Sequence, residues 1–325
     1  MKTRRFVIWT FACFALAALV AAWSFSHQPI TVHARIAEDG GFMPDHLIAR
    51  VGEPLRLRLI ADDVEHTFAV GQNIMPPVLL KPGEPVEITL TFDKPGTYTF
   101  YTTTPSSLNF WRMRGVIEVV GNGKTQIAEP PLYVQLGLDL DEMHEAGEKP
   151  LGFSHPPSAA RGETFERLIA PTYFSRDNYV IYSPMEMYEK LRADPALNSL
   201  RDDEIWDVVA FIWEKNTNPV GLEEGRKLYQ TNCAACHGEN GAGDGQFADE
   251  MKAIAEQNQD EHSIQPPTDF TNPEHLLEAK PAIEHGLILR GGMGTGMPMW
   301  GSIFTDEQIW NLVAYLYSFQ FEYQK

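Results

Sequence analysis

The chain has 325 residues, of which 43% are hydrophobic and 22% are charged, so it is neither wholly disordered nor a collagen-like repeat. At roughly 150 residues per domain, this length predicts two or three domains. The formal net charge of −18 argues against nucleic-acid binding, which needs a basic surface, and is compatible with docking on a basic protein. Three cysteines are too few for a disulfide framework.

The N-terminus carries a membrane-targeting pattern. An uncharged, apolar run of 18 residues, 6–23, follows three basic residues within the first five positions. As a helix this run spans about 27 Å, just enough to cross the hydrocarbon core of a membrane. The basic flank is expected to stay cytoplasmic while the rest is exported. We interpret residues 1–27 as a retained single-pass anchor; the alternative is a signal peptide cleaved at the small residues Val20-Ala21-Ala22.

Residues 28–122 are predicted to form a β domain. Residues 55–59 and 86–92 alternate between apolar and polar side chains, with the period of two that is typical of strands. Turns rich in glycine and proline separate these runs from other β-rich stretches, which indicates a sandwich or barrel. The further predicted strands are 30–36, 66–70, 97–101 and 112–120.

Five short motifs in this region give it a family resemblance: Phe42-Met43-Pro44, Val51-Gly52-Glu53, Glu65-His66-Thr67-Phe68, Pro95-Gly96-Thr97-Tyr98 and Arg112-Met113-Arg114-Gly115. The region resembles a cupredoxin, and most of all the copper domain of cytochrome oxidase subunit II. That family binds a binuclear copper centre through an upstream His and a C-x3-C-x3-H-x2-M loop.

The copper ligands of that family are largely missing from this chain. Aligned on Met113, the loop places Thr102, Ser106 and Phe110 where Cys, Cys and His are required, so only His66 and Met113 match ligand positions. Copper prefers thiolate and imidazole ligands. We therefore expect a cupredoxin-like sandwich without copper, in which His66 and Met113 are packing residues and the domain serves for docking or as a spacer.

Residues 128–218 form a middle segment that opens with a proline-rich linker at Glu129-Pro130-Pro131. Its end, residues 200–213, is nearly repeated at 304–317. Both stretches place acidic residues in a first helical turn and apolar residues at i, i+3, i+4 and i+7, as an amphipathic helix requires.

Residues 219–325 contain Cys233-Ala234-Ala235-Cys236-His237, a signature of covalent haem attachment. Two thiols separated by two residues can both reach one edge of a porphyrin, and the adjacent His then faces the iron. A thioredoxin-like redox pair needs a βαβ context, and a zinc site needs a second pair of ligands. We therefore predict one covalent c-type haem on Cys233 and Cys236, with His237 as an axial ligand.

The surrounding sequence resembles a cytochrome c domain. In that family a glycine before the motif, here Gly225, lets the first helix cross the last one closely, and we expect it to face Leu312 and Tyr315. Gln246 stands where the family usually has a proline whose carbonyl orients the axial His, so this acceptor is not assigned.

Met297 is the expected sixth ligand of the iron. It begins a Met-Pro pair in the glycine-rich loop 291–300, 60 residues after His237, as the family resemblance implies. His/Met ligation raises the reduction potential, which suits a donor to an oxidising partner. Trp300 either reaches a haem propionate through its indole N–H or packs in the core. The alternative sixth ligands are Met293, Met299, His262 and His285.

The repeat then offers two interpretations of the middle segment. Because 304–317 is the last helix of the cytochrome c domain, residues 128–218 could be a degenerate cytochrome c unit, without haem because it has no C-x-x-C-H. The alternative is an unrelated helical insert that shares one amphipathic helix. Met185 and Met187 are then core or surface residues rather than ligands.

Together these patterns predict a multidomain protein: an N-terminal transmembrane helix (1–27), an all-β cupredoxin-like sandwich (28–122), a helical segment (128–218) and a monohaem cytochrome c domain (219–325). The order resembles subunit II of cytochrome c-containing haem–copper oxidases and the cytochrome c subunit of nitric oxide reductases. The resemblance implies a non-catalytic electron-transfer subunit on the outer face of the cytoplasmic membrane. Its partners would be an integral-membrane catalytic haem subunit and a donor protein with a basic surface. The alternatives are a free-standing tethered shuttle and a sensor or assembly factor.

Overall fold

The structure is a computed structural model, and it describes residues 28–104, 106–107, 112–121, 130–140, 153, 155–249, 266–292 and 297–324. The chain divides into two compact units, Met1–Ile127 and Ala128–Lys325. The predicted anchor at residues 1–27 lies outside the described residues. Within the described ranges, no helix has the length and apolar character needed to cross a membrane.

The first unit is a β-sandwich. Its strands are β1 (Ile30–Ala34), β2 (Phe42–Met43), β3 (His46–Arg50), β4 (Leu55–Ala61), β5 (His66–Val70), β6 (Met75–Leu80), β7 (Val86–Leu90), β8 (Gly96–Tyr101) and β9 (Arg114–Val120). One sheet has the order β2-β1-β4-β7 and the other β3-β9-β8-β5-β6. The pairs β1–β4 and β3–β9 are parallel, and the remaining pairs are antiparallel. The six strands predicted from the sequence are confirmed.

Alternate apolar positions of the strands supply the core of the sandwich. On β4, Leu57 and Leu59 are buried while Arg56 and Arg58 point to solvent, as a period of two requires. Three phenylalanine rings, with centroids 5.1–5.6 Å apart, form the centre of this core: Phe42, Phe68 and Phe100. Contacts of this kind add to the hydrophobic stabilisation that burial of the rings provides.

His66 and Met113, the two residues at ligand positions of the resemblance, are both buried. His66 is 0% exposed, and its Nε2 lies 2.6 Å from Asp63 Oδ1. The sulfur of Met113 lies 3.8 Å from Ser106 Oγ, and Phe110 is outside the described residues. Across the described ranges, no group of three or more His, Cys, Asp or Glu side chains is placed to hold a metal. That the sandwich carries no copper stays a prediction.

The described part of the second unit is helical. Its helices are α1 (Leu132–Gln135), α2 (Ala159–Glu163), α3 (Arg176–Ile181), α4 (Pro184–Ala193), α5 (Asp202–Glu214), α6 (Pro219–Asn232), α7 (Ala234–His237), α8 (Pro273–Glu278), α9 (Pro281–Arg290) and α10 (Asp306–Tyr317). Met187 on α4 is fully buried, in agreement with a core role. Two close helix crossings, α2 with α5 and α6 with α10, organise the unit.

The crossing of α6 and α10 depends on Gly225. A Cβ built on Gly225 would lie 2.1 Å from the carbonyl oxygen of Asn311 and 3.0 Å from the Cβ of Tyr315. The predicted contact with Tyr315 is confirmed. The predicted contact with Leu312 stays a prediction, because the atoms nearest to that Cβ position belong to Asn311 and Tyr315. Leu312 itself is buried in the core.

The crossing of α2 and α5 has the same geometry around Gly162. A Cβ on Gly162 would lie 2.0 Å from the carbonyl oxygen of Asp207 and 2.9 Å from the Cβ of Phe211. In the sequence repeat, Asp207 and Phe211 correspond to the two residues that Gly225 meets on α10. The internal repeat therefore includes a first helix as well as the last helix of each copy.

Candidate haem-binding site

Helix α6 delivers the C-x-x-C-H motif. It begins at Pro219, after Asn218, whose Oδ1 accepts a 2.9 Å hydrogen bond from the Gly221 N–H as an N-cap. It ends at Asn232, and α7 adds one more turn after Cys233: the His237 N–H donates to the Cys233 carbonyl at 2.9 Å. The two cysteines and the histidine are thus brought together in one helical turn, as the sequence predicts.

The loop after the motif folds back against its backbone. The Gly245 N–H donates to the Cys236 carbonyl at 3.1 Å, and the Gly243 N–H donates to the His237 carbonyl at 2.9 Å. A Cβ on Gly245 would lie 2.4 Å from the carbonyl oxygen of Ala235. Only a residue without a side chain allows this approach. These glycines therefore fix the shape of the turn that carries both thiols.

His237 is held by a hydrogen bond and a ring contact. Its Nδ1 lies 3.2 Å from the Thr268 carbonyl oxygen, and its ring stacks on Phe270 with the centroids 4.8 Å apart. A proton on Nδ1 leaves Nε2 free to bind iron. Burial lowers the pKa of His237, which favours the neutral imidazole that a metal needs, although the Thr268 hydrogen bond opposes the shift. In the family a proline carbonyl orients this histidine, but this chain has Gln246 at that position. Here the backbone carbonyl of Thr268 takes that role.

The chemistry of the cysteines disfavours a redox pair. Cys233 and Cys236 are free thiols. Burial, and to a smaller extent the neighbouring Cys236, raises the pKa of Cys233 to about 12, and burial also raises the pKa of Cys236. A reactive cysteine needs a lowered pKa, because the thiolate is the nucleophile. Two protonated thiols beside an imidazole with a free Nε2 fit covalent haem attachment better.

The predicted sixth ligand lies on a separate segment. Met297 is half-buried, and its carbonyl accepts a 3.2 Å hydrogen bond from the Gly292 N–H at the end of α9. Met299 is 61% exposed, whereas Trp300 is 6% exposed and stacks on Phe304 with the centroids 5.0 Å apart. Met293 lies outside the described residues. Ligation by Met297 and a propionate contact of Trp300 stay predictions.

Of the two histidines that are alternative sixth ligands, His285 lies within the described residues. His285 is buried on α9, and its Nε2 lies 2.9 Å from Asp306 Oδ1. Its ring also stacks on Trp310 with the centroids 4.4 Å apart. The hydrogen bond to Asp306 occupies Nε2, and the stacking on Trp310 holds the ring in the core, so His285 is disfavoured as an iron ligand. His262 is outside the described residues.

Sequence patterns did not identify several residues around His237. Thr268 and Phe270 approach it from 31 and 33 positions along the chain, so no local spacing signals them. Tyr229 is fully buried and donates a 2.8 Å hydrogen bond to the Gly238 carbonyl. The one available signal is the Pro266-Pro267 pair, which marks an extended turn just before Thr268.

A known protein family matches the part of the chain that contains this turn. Residues 222–320 match the family model of cytochrome c. Reduced auracyanin from Roseiflexus castenholzii is 19% identical with a TM-score of 0.24, and the alignment covers 28% of this chain and 96% of auracyanin. The periplasmic domain of cytochrome oxidase subunit II from Bradyrhizobium japonicum is 18% identical with a TM-score of 0.24, over 29% of this chain and 85% of that domain. No curated protein matches the chain significantly. Residues 222–320 therefore form a cytochrome c domain, which follows a β-sandwich in the same chain.

Proposed function

We propose that this protein transfers single electrons through one c-type haem, attached to Cys233 and Cys236 and ligated by His237 and Met297. The observation that carries the proposal is the C-x-x-C-H turn with its oriented imidazole: Nδ1 lies 3.2 Å from the Thr268 carbonyl oxygen, and Nε2 has no hydrogen-bond partner among the described residues. When bound, the haem supplies a one-electron iron couple. His237 and Met297 would together hold the iron and leave no position open for a substrate, which would favour electron exchange over substrate chemistry.

The distribution of charge supports a basic redox partner. Residues 128–325 contain 33 acidic and 14 basic residues, whereas residues 1–127 contain 11 acidic and 12 basic residues. The negative charge therefore belongs to the unit that carries the cytochrome c domain. Complementary charge steers the encounter of electron-transfer partners and raises the association rate. We accordingly propose a donor protein with a basic surface.

The acceptor we propose is an integral-membrane catalytic haem subunit of the haem–copper type, acting on nitric oxide or oxygen. The support is the order of a cupredoxin-like unit and a cytochrome c domain, with the anchor predicted at residues 1–27. With that anchor retained, we propose that both units lie on the periplasmic side of the cytoplasmic membrane. The alternative is a tethered shuttle, which needs the same site and anchor but no stable partner.

A reduced-minus-oxidised spectrum of the tagged protein, isolated from its own membranes in mild detergent, tests the proposal. Bands of c-type haem together with b- or a-type haem are expected, and assays with oxygen and nitric oxide would then identify the acceptor. A c-type spectrum alone, from a preparation shown to be intact, would indicate the tethered shuttle. A preparation without c-type haem would refute both functions.

A further inference from the structure

The backbone of Met297 is tied to the C-terminal end of α9. The Gly291 N–H donates to the Leu287 carbonyl at 2.8 Å, and the Gly292 N–H donates to the Met297 carbonyl at 3.2 Å. Gly291 has φ of +74°, and a Cβ there would lie 2.8 Å from the same Met297 carbonyl oxygen. The chain thus returns directly onto the helix end, and a displacement of α9 carries the Met297 backbone with it.

Two contacts from the middle segment hold α9 along its length. At the start of the helix, Lys280 Nζ lies 3.3 Å from Glu186 Oε1 on α4. Halfway along, a Cβ on Gly286 would lie 2.9 Å from Leu140 Cδ2 and 3.1 Å from Tyr133 Cδ1. The helix backbone therefore packs directly against these two side chains, and Leu140 is only 8% exposed.

A stack of three side chains makes the third contact. The His285 ring on α9 lies 4.4 Å from the Trp310 ring on α10, measured between centroids. Arg176 on α3 places its guanidinium carbon 4.1 Å from the centre of the same tryptophan ring, and the Tyr179 ring lies 6.2 Å away. A cation over an indole face is a favourable electrostatic contact. The stack joins α9 and α10 to the middle segment.

The middle segment lacks the groups for a covalent haem of its own. In the cytochrome c domain, the two cysteines and the histidine lie 8, 11 and 12 residues after the crossing glycine, Gly225. The residues at the same distances after the equivalent glycine, Gly162, are Ala170, Tyr173 and Phe174. The helix crossing is retained while all three haem-binding groups are replaced. Both the retained crossing and the lost haem-binding groups are explained if the middle segment supports the cytochrome c domain, which is the haem-binding copy of the repeat.

We infer that four side chains of the middle segment act as a clamp on α9 and thereby keep Met297 on the haem iron. The clamp residues are Tyr133, Leu140, Arg176 and Glu186. They are positioning residues, because each one contacts α9 itself or the Trp310 ring that stacks on His285 of α9. They would act on the iron only through Met297. The inference rests on the proposed function, since it requires Met297 as the sixth ligand.

Competition with imidazole tests the clamp in the full-length, haem-loaded protein. Imidazole binds ferric iron only when Met297 leaves, so its apparent affinity reports how firmly the methionine is held. Leu140→Ala and Arg176→Met are each expected to bind imidazole about fivefold more tightly. For Arg176→Met that factor corresponds to about 1 kcal/mol, the upper range for an exposed cation–π contact. Arg176→Lys, which keeps a cation over the ring, is expected to match the wild type.

Two matched controls separate clamping from general loosening of the unit. Leu200→Ala removes a leucine that is also 8% exposed, and Arg192→Met breaks an ion pair with Asp202. Neither residue is one of the four clamp residues, so the imidazole affinities of both variants should stay within about twofold of the wild type. Far-UV circular dichroism and haem content check that each variant is folded.

Distinct results would overturn the inference. Wild-type imidazole affinity in both Leu140→Ala and Arg176→Met would mean that the middle segment does not hold the methionine. Equal changes in the control variants would mean that the effect is general destabilisation. If Leu140→Ala does not fold, the comparison of Arg176→Met with Arg192→Met decides. A wild-type protein without a sulfur-to-iron absorption band would refute the sixth ligand itself, which is a separate failure of the proposed function.

Discussion

Replacing Gly225 with alanine tests the helix crossing of the cytochrome c domain. In a solvent-exposed helix this change stabilises the folded protein by about 1 kcal/mol, because alanine loses less backbone entropy than glycine on folding. Here the new Cβ would lie 2.1 Å from the Asn311 carbonyl oxygen. A carbon–oxygen contact needs about 3.3 Å. Because the obstructing atom is backbone, α6 and α10 must move apart by roughly 1 Å, a gap that forfeits a quarter to a half of each contact energy.

These terms give a definite sign and size. Overpacking of a tight core lowers the stability by about 1–3 kcal/mol. The upper end applies here because the obstructing atom belongs to a helix backbone, which cannot relieve the clash by a change of rotamer. Subtracting the gain in helix propensity leaves a net loss of about 2 kcal/mol. For a unit of about 200 residues, this corresponds to a fall in Tm of roughly 4–8 °C. Gly162→Ala is expected to behave alike, since its Cβ would lie 2.0 Å from the Asp207 carbonyl oxygen.

Thermal unfolding followed by haem absorbance measures this change, because the predicted haem site lies in the second unit. Thr231→Ala, on the exposed part of the same helix, is the control and should change the stability by less than about 0.5 kcal/mol. A Gly225→Ala protein with an unchanged or higher Tm would refute the close crossing. Opposite signs for Gly162→Ala and Gly225→Ala would refute the equivalence of the two crossings.

Three further predictions concern the haem site and its surroundings. Met297→Ala should abolish the sulfur-to-iron absorption band near the red edge of the visible spectrum, because it removes the thioether ligand. The double variant Cys233→Ala and Cys236→Ala should leave any haem extractable by acidified solvent, since no thioether bond can form. Burial raises the pKa of Glu284 to about 7, so the folded state holds its proton longer than the unfolded chain. Stability should therefore fall by about 2 kcal/mol as the pH rises from about 5 to about 8, and Glu284→Gln should remove this dependence.

Each of these predictions has a result that contradicts it. A sulfur-to-iron band that survives in Met297→Ala would assign the ligand to another methionine, with Met299→Ala as the matched variant. Haem that resists extraction from the double cysteine variant would mean that a different group attaches it. A stability profile of Glu284→Gln parallel to that of the wild type, from urea unfolding at several pH values, would locate the titrating group elsewhere.

The haem-attachment turn is predictable from sequence because its chemistry is local. Five consecutive residues fix the spacing of both thiols and the imidazole, and the helix that follows Pro219 presents them as one turn. The orienting carbonyl is not local, since Thr268 lies 31 residues beyond His237. A backbone acceptor carries no side-chain signature, so its identity depends on how the intervening loop folds.

Two edge strands and one helix contact show where pattern reading fails. Strand β6 contains Pro76 and Pro77, which cannot donate to a ladder and so weaken a strand signal; the sheet accepts them because β6 lies at its edge. Strand β3 is another edge, where the apolar Ile48 is 63% exposed, so apolar and polar residues do not alternate in the sequence although burial does. The close approach of Gly225 to Asn311 depends on the rotation of α10, which periodicity alone does not fix.

Carboxylates fasten the loop that leads into β5. Asp62 accepts hydrogen bonds from Arg35 Nε at 2.8 Å and from His33 Nδ1 at 2.9 Å, and Asp63 accepts one from the Ile36 N–H at 2.7 Å. Every group in these links belongs to the polypeptide and is present once β1 and β4 have paired. The cytochrome c domain, by contrast, is complete only after a prosthetic group has been joined to it. The sandwich should therefore fold before haem is attached and independently of it. In a cell that cannot attach haem, we expect the second unit to be degraded and a protease-resistant fragment that contains the sandwich to accumulate.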